Sequence, residues 1–156
     1  MNGCFGCDRA NPAGLGMKFF RDAAGNLAAS CVPTEQHRGL GRIVNGGLVT
    51  TFAEELAAAA AGSTSDGGLV VSRIETLYER PAYIGTEMRG VVASMRREGK
   101  AVDVSVDVSS GGQRVAVLNA SFVLLSEAKL RELSGIGLDQ APACLVAARQ
   151  PLPIEG

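Results

Sequence analysis

Two glycines at positions 46 and 47, followed by a carboxylate at 54, are the residues of this chain best placed to do chemistry. They lie in GRIVNGGLVTTFAEELAAAAA, Gly41 to Ala61, which turns at Leu48 to Ala, Leu, Thr and Glu without proline and predicts a helix over Leu48–Ala61. Asn45 stands where it can cap that helix, because its side-chain oxygen can accept the unpaired N–H groups of a first turn. Gly46 and Gly47 carry no side chains, so a carbonyl can come directly against their N–H groups, where the aligned peptide dipoles favour negative charge. That suits a reaction in which a carbonyl oxygen becomes negative. The other use of such a pair is close packing of helix against sheet. Glu54 supplies a carboxylate that can act as nucleophile or as a base on water. Glu55 points about 100° away around the helix, so only one of the two acids faces a given site.

The spacing adds a constraint. Gly46 and Glu54 are eight residues apart, about 12 Å along a helix, and a glutamate leaning back toward the N-terminus recovers only part of that. One helix does not bring both groups to one carbonyl. A second copy with its helix antiparallel to the first does, which predicts a homodimer with two shared sites.

The elements that must position these residues follow from patterning. Residues 1–16 read as an irregular arm rich in Gly, Pro and Asn; Met17–Arg21 and Leu27–Val32 read as a hairpin around Ala23-Ala24-Gly25-Asn26. A polar loop, Thr34–Val44, leads to the helix. Strands are expected at Val70–Tyr78, Glu87–Arg97, Ala101–Ser109 and Arg114–Leu125, arranged as a four-strand meander, with Gly111-Gly112 as a hairpin turn. In AVDVSVDVS the valines share one face, so one side of the sheet is buried. A helix whose only charges are Glu54 and Glu55 must be largely enclosed, which implies an α+β domain over 17–126 with a sheet curled around one helix. Leu130 and Leu133 suggest a short helix within 127–156; the rest of that segment reads as a partly ordered tail.

Composition narrows the function. With 15 basic against 16 acidic residues and a net charge of -1, no field of one sign is available for nucleic acid or an anionic membrane. No apolar run approaches the ~18 residues of a membrane span, and Met1–Gly16 has no leader-like pattern, so a cytoplasmic protein is expected. Cys4 and Cys7 are the one close pair among four cysteines, and with a single histidine they fall short of the paired clusters of a typical zinc site. The cysteines, Cys31 and Cys144 included, are expected as small packing residues, with no metal and no redox cofactor.

Three motifs in order resemble the hotdog-fold thioesterases of the 4-hydroxybenzoyl-CoA and phenylacetate-pathway type, over roughly residues 4 to 125. They are CFGCDRANPAGLGMKF; His37-Arg38-Gly39-Leu40-Gly41-Arg42-Ile43-Val44-Asn45-Gly46-Gly47 with Glu54 nine residues past Asn45; and Tyr78-Glu79-Arg80-Pro81 followed by Gly85. The resemblance implies the hotdog fold, an acyl-CoA substrate, and a homodimer that can pair into a homotetramer. It assigns the Gly46 N–H as oxyanion donor and Glu54 as the catalytic carboxylate, with Gly47 beside them. Asn45 stands where the family usually has histidine; it can donate to a carbonyl or serve only as the cap, and it cannot transfer a proton near neutral pH. Gly39 falls where relatives often carry Asn or Gln. His37 matches a family position before the helix and is a candidate for substrate binding, or holds the loop by a structural hydrogen bond. Arg96, Arg97 and Lys100 match the region where relatives place basic residues near the nucleotide of CoA, or form a plain solvated turn, and Arg80, beside Pro81, is a further candidate for its phosphates. The competing class is a non-catalytic acyl-CoA or small-ligand binder on the same fold.

Overall fold

A computed structural model describes residues 3–155. Met1, Asn2 and Gly156, which belong to the expected arm and tail, lie outside the described residues. The chain runs β1 (Lys18–Arg21), β2 (Leu27–Cys31), a 3-10 turn (Glu35–His37), α1 (Gly46–Gly62), β3 (Gly68–Tyr78), β4 (Met88–Glu98), β5 (Ala101–Ser110) and β6 (Gln113–Leu125). It then adds α2 (Glu127–Ser134), a second 3-10 turn (Leu138–Gln140) and α3 (Ala143–Ala147). The strands form one six-stranded antiparallel sheet in the order β1-β2-β4-β5-β6-β3.

The sheet's concave side takes α1. Val102, Val104, Val106 and Val108 of β5 are buried on one face, as their alternation predicts, and Leu118 and Phe122 of β6 continue that face. Against them α1 sets Phe52 and Leu56, both without exposure. Close approach is enforced on β4, where a Cβ at Gly90 would lie 2.8 Å from Leu56 Cδ2 and 3.0 Å from Phe52 Cε1. The β5–β6 hairpin turns at Gly111 and Gly112, whose φ of 58° and 78° suit glycine.

One topological expectation is corrected. The four strands after the helix are not a meander, because β3 pairs with β6 at the far edge and β4 pairs with β2 and β5. The reason lies in residues 79–87, which cross to the other side of the sheet while bonding to the loop ahead of α1. Ala82 O accepts from Val44 N–H at 2.9 Å, and the Ile84 and Gly85 N–H groups donate to Arg42 O and Pro33 O at 3.0 and 2.8 Å.

The last segment packs more than its composition suggested. Arg149 donates to Gly62 O and Gly67 O, at 2.9 and 2.6 Å, placing a cation at the C-terminal end of α1. Residues 153–155 bond along β1 through Arg21 N–H to Pro153 O and Glu155 N–H to Arg21 O, both 2.8 Å. The β1 edge is thus partly covered while the β3 edge is open. Among the described residues no helix is long and apolar enough to cross a membrane.

Gly90→Ala tests the tight helix-to-sheet contact. The extra methyl has only Phe52 and Leu56 to push against, so a loss of about 1–3 kcal/mol is expected, read as a lower urea midpoint with unchanged slope.

Candidate active site

The start of α1 is built by its own cap. Asn45 Oδ1 accepts from Gly47 N–H at 2.8 Å, and Asn45 O accepts from the Leu48 and Val49 N–H groups at 2.9 and 3.3 Å. The Gly46 N–H is left with no acceptor among the described residues, and both glycines are exposed. Packing does not require glycine at 46: a Cβ there would meet the Tyr78 ring and hydroxyl at 3.5 Å, an ordinary contact. Gly47 is more constrained, since its Cβ would lie 3.1 Å from Asn45 Oδ1.

The loop ahead of the helix holds this terminus still. Asn45 N–H donates to His37 O at 2.9 Å, and Gly39 N–H to Ile43 O at 2.8 Å. A Cβ at Gly39 would fall 3.0 Å from Asn45 Cα, so a side chain there would require the Asn45 backbone to give by a few tenths of an ångström. His37 is 2% exposed; its Nδ1 accepts from Thr34 N–H at 2.9 Å, which leaves the proton on Nε2 to be donated to Ala13 O at 3.4 Å. Its ring fastens the loop and does not stand open to a ligand, which corrects its place among the substrate-binding residues.

A hydroxyl cluster not picked out from the sequence adjoins Gly46. Tyr78 OH donates to Gly46 O at 2.7 Å and lies 2.6 Å from Thr50 Oγ1, which donates to Thr76 Oγ1 at 3.0 Å. The signal for it was period: Thr76 and Tyr78 share a face of β3, and Thr50 lies one turn beyond Gly46. Ser72 and Thr51 are spent locally, on Ser121 O at 3.1 Å and Gly47 O at 2.9 Å.

Glu54 is half-buried, and its carboxyl is pushed up to about 7, first by burial and then by the neighbouring Glu55. Glu55 turns instead toward the N-terminal loop, where a Cβ at Gly6 would lie 2.7 Å from its Cδ. The two acids therefore serve different neighbourhoods, as their angular separation requires.

The basic residues divide into two groups. Arg80 is two residues past Tyr78, near the start of α1, and donates to Arg114 O at 3.2 Å while pairing with Glu79 at 3.7 Å. Arg96 pairs with Glu98 at 3.0 Å on the open surface. Arg97 donates to Gly99 O at 3.0 Å and to Thr64 O, which follows the end of α1, and Lys100 borders the same cleft as Arg97. The 17 residues of α1 separate this second group from Gly46 by about 25 Å. Within one chain the structure brings together Asn45, Gly46, Gly47 and Tyr78, and does not bring Arg96, Arg97 or Lys100 to them.

Comparison with known proteins agrees with this fold. A model of the Thioesterase superfamily matches residues 41–117, from the loop before α1 into β6. The solved structure of AziG from S. sahachiroi is similar at TM-score 0.65 and 22% identity, covering 72% of this chain and 93% of that one. A mutant of the phenylacetic acid degradation protein PaaI from Thermus thermophilus gives 0.63 and 22%, covering 71% and 95%. The BH2602 protein from Bacillus halodurans, solved with CoA, gives 0.63 and 20%, covering 69% and 73%. Among curated proteins no match was found.

Replacing Asn45 separates its roles. Asn45→Ala is expected to cost about 1 kcal/mol through the lost cap, and Asn45→Asp to retain that stability, because a carboxylate oxygen accepts from Gly47 N–H equally well. Thermal unfolding of the two variants reads the difference.

Proposed function

We propose that this member of the thioesterase superfamily, built on the hotdog fold, hydrolyses acyl-CoA thioesters to a free acid and CoA. The observation that carries the reading is the unpaired N–H of Gly46, an exposed residue at the positive end of a buried helix. In the proposed reaction the thioester carbonyl sits against that N–H, which stabilises the oxygen as it becomes negative. Asn45 keeps its amide nitrogen for the same carbonyl while its Oδ1 caps the helix, so its two expected uses are compatible. Glu54 takes a proton from an attacking water, or attacks the acyl carbon itself to give a mixed anhydride that water then cleaves to the free acid and the restored carboxylate; in either case the thiolate of CoA departs.

The site requires two chains. On α1 the incompletely buried positions Gly47, Thr51, Glu54 and Ala58 form one stripe at intervals of four, three and four residues. Beside it the open β3 edge exposes Val71, Ile74 and Leu77 by 43%, 41% and 57%. A long apolar edge next to a small-residue helical stripe favours pairing with a second copy. With the helices antiparallel, Glu54 of one copy approaches Gly46 of the other, and the basic end of one α1 lies near the other's site. Arg96, Arg97 and Lys100 then serve the phosphates of a CoA bound mainly by the other copy, and Arg80 those of its own. Binding of CoA by the similar BH2602 protein supports this choice of ligand.

Released thiol is to be measured on a panel of acyl- and aryl-CoA esters. Turnover is expected in the wild type and a loss of about 100-fold or more in Glu54→Gln; CoA esters that bind without turnover would make the protein a binder instead. The carboxylate is active only when ionised, so kcat/KM should rise as pH passes about 7, the value to which burial lifts Glu54. The same shift acts oppositely on stability. A carboxyl whose folded pKa exceeds its unfolded one favours the fold fully at pH below the unfolded value, and loses that contribution as pH rises through the folded value.

Mixed dimers test the sharing. Glu54→Ala and Gly46→Val chains, each inactive alone, should regain activity when mixed, through one intact site per mixed dimer; mixtures that stay inactive would sink the two-chain site.

A further inference from the structure

We propose that Cys4, Cys7 and Cys144 form a binding site for a thiophilic divalent metal ion, with zinc as the natural occupant, that clasps the N-terminal loop to α3. Their three sulfur atoms lie within 4.8 Å of one another. Cys4 Sγ and Cys144 Sγ are 3.5 Å apart, a non-covalent distance. Sulfurs around a tetrahedral zinc with ~2.3 Å bonds stand about 3.8 Å apart, so one ion can touch all three after small adjustments.

Cys144 is 137 positions from Cys7, so the Cys4-Cys7 pair stands alone in the sequence and its third partner comes only from the fold. His37 plays no part, since both ring nitrogens are occupied beside Thr34 and Ala13.

The thiols are brought together by anchors that do not involve sulfur. Leu15 N–H donates to Phe5 O at 2.7 Å and Met17 N–H to Gly6 O at 2.9 Å, tying down the loop between Cys4 and Cys7. Arg149 fastens the segment after α3 to Gly62 O and Gly67 O, and a Cβ at Gly62 would lie 2.7 Å from Leu145 O. A site held in place this way loses little chain entropy when the ion arrives. Cys144 N–H also donates to Cys7 Sγ at 3.2 Å, a direct tie between α3 and the N-terminal loop.

Glu55 reaches the same loop, packed against Gly6, where a Cβ would lie 2.7 Å from its Cδ. An open cleft of about 800 Å³, bordered by Cys7, Arg9, Asp139 and Ala143, gives the ion access. On binding, each thiol gives up its proton to solvent as its sulfur bonds the metal, with no change of oxidation state. Cys31, buried in β2, is not part of the group.

The test is titration of the reduced full chain with Co²⁺, followed by Zn²⁺ and elemental analysis. Expected are one Co²⁺ per chain, thiolate-to-metal charge transfer with the strong visible bands of a tetrahedral site, and displacement by Zn²⁺. Cys144→Ser should lose stoichiometric binding and the charge-transfer band, whereas Cys31→Ala should bind as the wild type does. Circular dichroism checks that the variants fold, and Cys7→Ser, in the half-buried loop, offers a second route if Cys144→Ser does not. A reduced wild-type chain that takes up neither ion, or variants that bind as well without the thiols, would overturn the site; so would a disulfide among these cysteines that leaves no metal uptake after reduction. Metal is read without substrate, so this outcome is independent of thioester hydrolysis.

Discussion

Enclosure of α1 by a single sheet is the constraint on which the rest of the structure depends. The helix offers water almost no polar side chains, so its Phe52 and Leu56 must be covered. The sheet can cover them only by curling, and Gly90 on β4 lets the curl close to contact distance. A run of alanines from Ala57 to Ala61 fills the remaining contact without pushing the layers apart. The same enclosure drains water from around Glu54, which is why its carboxyl holds its proton to higher pH than an exposed glutamate.

The two ends of α1 are treated differently, and the difference gives the helix its direction as a functional element. At the C-terminal end, carbonyls that the helix cannot satisfy accept from cations: Arg149 reaches Gly62 O, and Arg97 reaches Thr64 O just beyond. At the N-terminal end the cap satisfies Gly47 and leaves Gly46 open. Tyr78 binds the carbonyl of Gly46, not its N–H, so it steadies the turn without occupying the donor. One terminus is closed by the protein's own groups while the other remains able to receive an oxygen.

Much of the fold was legible in residue pattern because its elements are locally consistent. AVDVSVDVS alternates so regularly that burial of Val102, Val104, Val106 and Val108 follows from period alone. Asn45-Gly46-Gly47 announced the helix start through cap chemistry, which is local as well. Strand order was not legible. The placement of β3 beside β6 depends on how residues 79–87 bond to the loop at 33–44, a contact between segments some forty residues apart. The docking of the last segment escaped for a related reason: its proline-rich composition says little, and Arg149 finds its acceptors on a distant helix end.

The candidate site divides along the same line. By itself the sequence singled out the candidate groups, Gly46 and Glu54, and determined their separation along one helix, because helical rise and side-chain angle are properties of adjacent residues. It also determined that Glu54 and Glu55 face different ways. Tertiary structure alone decided what each of them faces. It set Glu55 against Gly6 and Cys144, removed His37 from the surface, placed Tyr78 against Gly46, and put Arg96, Arg97 and Lys100 at the opposite end of the helix from Arg80. It also brought Cys144 to Cys4 and Cys7. Those placements rest on contacts between residues far apart in the chain, where no local period or propensity carries the information.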